Sequence, residues 1–156
     1  MIHHQLAAVP TAAYAPSVSS PSEVIDAMKH ALAKEPHVRW AYVFGSAARG
    51  TTYRDVDVAI MPAASMPAGA VAWGAIVARL EAAARTKVDL VDLSQDNLPL
   101  VGPMLTERIL VLDRERDARC AFEAETTSRW LDFRPAYEEF LRVRTLAMQR
   151  RLHGAR

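Results

Sequence analysis

The sequence predicts an α/β (α+β) fold, and three observations carry that prediction. Short runs of β-branched and aromatic residues alternate with segments of helical periodicity. Gly and Pro stand beside those runs rather than inside them. Hydrophobic residues fill 51% of the 156 positions, which supports one core in a chain of single-domain size.

Residues 1–19 are rich in Ala, Pro and Ser without sustained periodicity, and read as a disordered or weakly ordered tail. The run SPSE then allows Ser20 to cap a helix, Pro21 to take its first position and Glu23 to close a capping box. That helix should end near Lys34, ahead of Pro36. Residues 39–44 form a strand that stops at Gly45, and residues 55–60 alternate as DVDVAI ahead of Pro62. Val71, Ile76, Val77 and Leu80 recur at roughly helical spacing across residues 69–85. KVDLVDL at 87–93 is a third strand, residues 98–108 a short helix, and ILVLD at 109–113 a last strand. The remainder is helical, with a break or kink expected where Phe133, Arg134 and Pro135 meet. Tyr137, Phe140, Leu141 and Arg144 recur at three and four beyond it, the pattern of an amphipathic face. From residue 142 onward there are five arginines and no acid, which reads as a solvated helix end with a partner surface as the alternative.

Charge and cysteine content exclude several functions. Lys plus Arg exceeds Asp plus Glu by one, so the surface has no broad field to gather nucleic acid or acidic membranes. No direct nucleic-acid binding is therefore expected. Cys120 is the only cysteine, which leaves no intrachain disulfide and no cysteine cluster for a metal, and a cytoplasmic location fits. His3 and His4 adjoin near the start but do not by themselves make a metal site. The longest apolar window, residues 68–80, is too short and too interrupted to span a bilayer, so no membrane association is expected. Nothing in the spacing of Trp40, Trp73 and Trp130 brings them together, so they read as core or interface residues rather than a base-stacking set.

The chemistry concentrates in YVFGSAARGTTYRDVDVAI. A strand leading into a Gly-Ser turn offers backbone N–H groups and a hydroxyl to a phosphate, and Gly45 permits close approach to the backbone. In a strand Asp55, Asp57 and Ala59 share one face while Val56, Val58 and Ile60 share the other. Two carboxylates presented together suit a hard divalent cation, and magnesium takes one or two of them with phosphate oxygens. Plain surface acids on an edge strand would need no ligand, but the apolar opposite face and the adjoining turn argue for a packed strand. A third acid is expected from the neighbouring strand. Asp89 and Asp92 are three apart and face opposite sides, so only one can join. Asp89 is the choice, because it lies mid-strand where an unpaired carboxylate would be costly, whereas water suffices at Asp92.

FGSAARG, DVDVAI and KVDLVDL together, across about residues 40–93, resemble the signature of the polymerase β-like nucleotidyltransferases: a GS turn, a short helix, DxD, and a later single Asp. They are similar in particular to the minimal nucleotidyltransferase (MNT) branch. LTERILVLD and EAETTSRWLDFRPAYEEFLR look like the C-terminal part of MntA-type antitoxins of MNT–HEPN toxin–antitoxin systems. The resemblance implies a mixed sheet flanked by helices over residues 20–115 and a helical extension over 116–156 that binds a partner. It implies an enzyme that uses ATP and Mg2+ to place AMP on a tyrosine of a HEPN-domain toxin, with which it forms a hetero-oligomer. By position, Gly45 and Ser46 would hold the triphosphate, and Asp55 and Asp57 would ligate magnesium. Asp89 would complete the metal site and favour the tyrosine alkoxide. Arg49 would reach a phosphate, with Tyr53 and Arg54 as weaker candidates. The family spacing puts ten residues between the Ser and the first Asp, whereas residues 47–54 supply eight, so a shorter loop is expected. The sequence is also compatible with two other functions: transfer to a small hydroxylated molecule, as in antibiotic nucleotidyltransferases, and a non-catalytic antitoxin that acts by binding.

Overall fold

The computed structural model describes residues 20–153. The expectations for residues 1–19, His3 and His4 among them, lie outside the described residues. Along the chain run α1 (Pro21–Leu32), β1 (Val38–Phe44), α2 (Gly45–Ala48), β2 (Asp55–Pro62), α3 (Ala70–Ala84), β3 (Lys87–Asp92), α4 (Leu98–Glu107), β4 (Ile109–Asp113) and α5 (Arg116–His153). The strands form one mixed sheet in the order β3-β2-β1-β4. β1 pairs antiparallel with both β2 and β4, while β2 and β3, joined through α3, pair parallel.

Local signals account for the start of α1 and the end of α3. Ser20 accepts from the Glu23 backbone at 3.3 Å, and its own N–H donates to the Glu23 carboxylate at 2.7 Å, so the anticipated capping box is complete. α3 ends where Arg85 turns left-handed at φ 55°.

Both sheet faces are covered. Val24, Met28 and Leu32 of α1 and Ile76, Leu80 and Ala84 of α3 pack on Ala41, Val43, Val56, Val58 and Ile60. On the other face Val101, Met104 and Leu105 of α4, with Phe122 of α5, cover Trp40, Tyr42, Phe44, Ala59 and Met61. A bulge between Val38 and Trp40 reverses which side the first residue of β1 faces, so Val38 joins the α1 side. The tryptophans separate accordingly: Trp40 lies under α4 and α5, Trp73 flanks the α1–α3 side, and Trp130 packs between α4 and α5.

Of the break or kink expected near Pro135, the break does not occur: α5 runs on as helix for 38 residues. Proline removes one backbone donor, but the residues preceding it are exposed, which leaves the freed carbonyl open to solvent. Rings also bridge the turn: Trp130 approaches Phe133 and Tyr137 at 6.3 and 6.0 Å, and Phe133 stacks on Tyr137 at 5.5 Å.

Candidate active site

Strand register sets the acids. Asp57 stands opposite Asp89 and Asp55 opposite Lys87 across the parallel β2–β3 pair, so Asp55, Asp57 and Asp89 share one face. The same face carries Phe44, the partner of Asp57 on β1, whereas Val56 and Val88 turn into the core. Asp92 falls beside Ile60 and is consumed by a turn, accepting from the Ser94 backbone at 2.8 Å and its hydroxyl at 2.6 Å. Asp55 and Asp89 are exposed and Asp57 is half-buried. The expected cost of an unpaired carboxylate at Asp89 is thus not incurred, because water reaches it. Burial first, then the neighbouring Asp89 and Asp55 charges, push the Asp57 carboxyl up from its ordinary range, and Arg49 opposes them.

Gly45 lies against this row. Its backbone is left-handed at φ 67°, and a Cβ there would collide with Oδ2 of Asp57 and come within 3.1 Å of its Cγ. Glycine is therefore required twice, for the turn and for the close approach. Ser46 follows, half-buried, with Nη2 of Arg49 3.4 Å from its hydroxyl.

The eight-residue link to Asp55 is tightly folded. Gly50 turns left-handed at φ 70°, and the Thr51 N–H and hydroxyl both donate to the Ser46 carbonyl at 3.1 Å. Tyr53 is buried in the α1–α3 core, which gives its ring a packing role. Arg54 is exposed, and its carbonyl accepts from the Thr86 hydroxyl at 2.8 Å.

Whether the donor set suits magnesium follows from these positions. No group of three His, Cys, Asp or Glu side chains among the described residues is arranged to hold a metal ion. Magnesium needs only one or two protein carboxylates when phosphate oxygens and water fill its octahedron. Asp55 and Asp57, on one face beside a turn that leaves room only for a glycine, fit that demand.

Two features were not visible in the sequence. Glu107, at the end of α4, pairs with Arg49 at 2.5 Å, and both residues line a cavity of about 260 Å³ with Phe44, Gly45 and Pro103. Nothing in the local pattern distinguishes a lone acid ending a helix. Lys87 stands beside Asp55 only by virtue of the register.

Residues 26–117 match the Polymerase beta, Nucleotidyltransferase family. No curated protein matches the chain. Among solved structures it is similar to a toxin–antitoxin with AMP-PNP, at 23% identity and TM-score 0.62, over 78% of this chain and 98% of that one. It is also similar to a tri-AMPylated Shewanella oneidensis HEPN toxin in complex with MNT antitoxin, at 21% identity and TM-score 0.61, over 80% and 98%. The toxin–antitoxin MntA-HepT shows the same likeness at 19% identity and TM-score 0.56, over 80% and 96%. At these identities the likeness is one of fold.

Proposed function

The chain belongs to the polymerase beta nucleotidyltransferase family, and from that premise we propose that it is a magnesium-dependent protein adenylyltransferase antitoxin. In this reading it moves AMP from ATP to a tyrosine hydroxyl of a HEPN-type ribonuclease toxin, the product of a neighbouring gene, and silences it in the cytoplasm. The observation that carries the reading is the row of Asp55, Asp57 and Asp89 along one face of adjoining strands, set against Gly45. Support for the acceptor comes from the fold-level neighbours, one of them a tri-AMPylated HEPN toxin with its MNT antitoxin, another a toxin–antitoxin with AMP-PNP. No helix of the described residues is long and apolar enough to cross a membrane.

Each residue has a role in the transfer. Magnesium, when bound, neutralises triphosphate charge and lowers the pKa of the attacking hydroxyl. Asp55 and Asp57 would hold it, Gly45 and Ser46 would receive the triphosphate, and Arg49 would add positive charge beside Ser46. Asp89, next to Asp57, completes the acid set and draws the phenolic proton. The phenolic oxygen then bonds to the α-phosphorus as the bond to the β-phosphate bridging oxygen breaks, and pyrophosphate departs with the electron pair. Most of the rate comes from positioning and charge complementarity. The far half of α5, with Phe140, Val143, Leu146 and Met148 exposed, docks the toxin.

The test is to mix the purified protein with ATP, magnesium and the neighbouring gene's product and to weigh the product. A gain of one or more AMP units on a tyrosine is expected, and Asp57→Asn should abolish it. A stable complex without mass gain would establish a binding-only antitoxin instead. AMP on a small hydroxylated acceptor and none on the protein would establish the antibiotic-type reaction.

A further inference from the structure

We propose that Glu107 is a positioning residue for the nucleotide site, acting through Arg49; this rests on the function proposed above. Arg49 is the residue that closes the four-residue α2, its N–H donating to the carbonyl of Gly45, whose backbone lies against the Asp57 carboxylate. A guanidinium beside a row of carboxylates will form a charge-assisted pair with one of them unless something else holds it. Such a pair at Asp57 would occupy the place a divalent cation needs. The structure shows Arg49 held elsewhere. Its Nη1 donates to Glu107 at 2.5 Å, while Nη2 stays 3.4 Å from the Ser46 hydroxyl.

Glu107 thus does two things at once. It keeps the guanidinium off Asp57, and it aims the second amino group at the turn where phosphate is expected. Both residues line the cavity between α2 and α4, which is walled by Phe44, Gly45, Leu100 and Pro103, so the pair stands at a recess and not on open surface. Each side chain is about half exposed, 48% for Arg49 and 49% for Glu107, so the pair contributes little to folding and its placement is not explained by stability.

The experiment measures equilibrium binding of AMP-PNP with magnesium by calorimetry, which involves no turnover, alongside melting temperature. Glu107→Gln is expected to weaken binding by about two- to fivefold, the scale of a half-exposed charge pair, with an unchanged melting temperature. Glu107→Asp should recover part of the loss. Because Glu107 acts through Arg49, the double variant Glu107→Gln/Arg49→Gln should bind no worse than Arg49→Gln alone. In steady-state transfer the loss should appear in KM for ATP more than in kcat. Wild-type affinity in Glu107→Gln, or fully additive losses in the double variant, would overturn the proposal and leave the adenylyltransferase reading intact. A wild-type protein that binds no AMP-PNP would overturn both.

Discussion

At Gly45 the site admits no side chain, because the Asp57 carboxylate already occupies the space a Cβ would take. The left-handed φ alone makes Gly45→Ala cost about 1–2 kcal/mol. The added methyl must also displace Asp57, and a shift of that size at a reacting centre lowers rates by about 100-fold. Melting and AMP-transfer assays on the alanine variant read the two effects separately. Asp57 behaves differently under substitution. Its charge is opposed by burial and by Asp89 and Asp55, so the ionised form is held at a cost in the folded state. Asp57→Asn should therefore abolish transfer while melting no lower than wild type at neutral pH without metal. A variant that both melts lower and loses activity would show that Asp57 supports the fold instead. This separation of loss of function from loss of fold is what a residue kept for chemistry produces.

Among the elements, the α4–α5 contact depends on a glycine inside a helix. A Cβ at Gly102 would lie 2.5 Å from Cγ and Cδ2 of Trp130, which is buried against α4. Alanine is the better helix former by about 1 kcal/mol, yet Gly102→Ala should destabilise by about 1–3 kcal/mol because overpacking outweighs propensity. A rise in urea midpoint on that substitution would refute the packing argument. α5 is fastened a second time through Glu123, which accepts from the Tyr42 hydroxyl at 2.6 Å and pairs with Arg108 and Arg119 at 2.7 and 2.9 Å. Burial opposes the Glu123 charge, but those donors outweigh it and hold the carboxyl below its usual range. A carboxylate lowered in the folded state contributes stability above its unfolded pKa, and that contribution is lost as pH falls through the folded value. Glu123→Gln should therefore be less stable than wild type at pH 7, with the gap closing as pH drops below the ordinary carboxylate range. Denaturant melts at a series of pH values measure that gap, and a constant gap would contradict the linkage.

Across the whole molecule, what could be read in advance was local and what could not was relational. The SPSE capping box, the Gly45 stop and the ILVLD strand depend on neighbours in sequence, and each stands where local chemistry puts it. The sheet order, and with it the placing of Lys87 beside Asp55, depends on which strands pair, which no local pattern encodes, whereas Asp89 could be chosen over Asp92 because strand alternation lets only one of the two face the site. Tyr53 was a weaker phosphate candidate by its place in the resemblance alone, and the short link folds it into the core. Pro135 looked like a break because proline lacks a backbone donor, and only the fold shows that α5 continues through it. The far half of α5 is the remaining relational question. Phe140 is 58% exposed, Val143 53% and Met148 54%, on a helix whose last turns carry arginines without acids. An apolar stripe held out from the core gains nothing for folding, so a role in docking predicts a specific dissociation of effects. Phe140→Asp with Val143→Asp should leave the melting temperature and AMP-PNP binding unchanged, since neither residue touches the core or the Asp57 face. The same variant should lose the toxin complex, and with it AMP transfer, because an adenylyltransferase that cannot hold its acceptor cannot bring the tyrosine oxygen in line with the α-phosphorus. Co-purification with the neighbouring gene's product reads the first loss and mass spectrometry the second. Retention of both would move the docking surface elsewhere on the molecule, and loss of AMP-PNP binding would mean that α5 supports the site instead of presenting the partner to it.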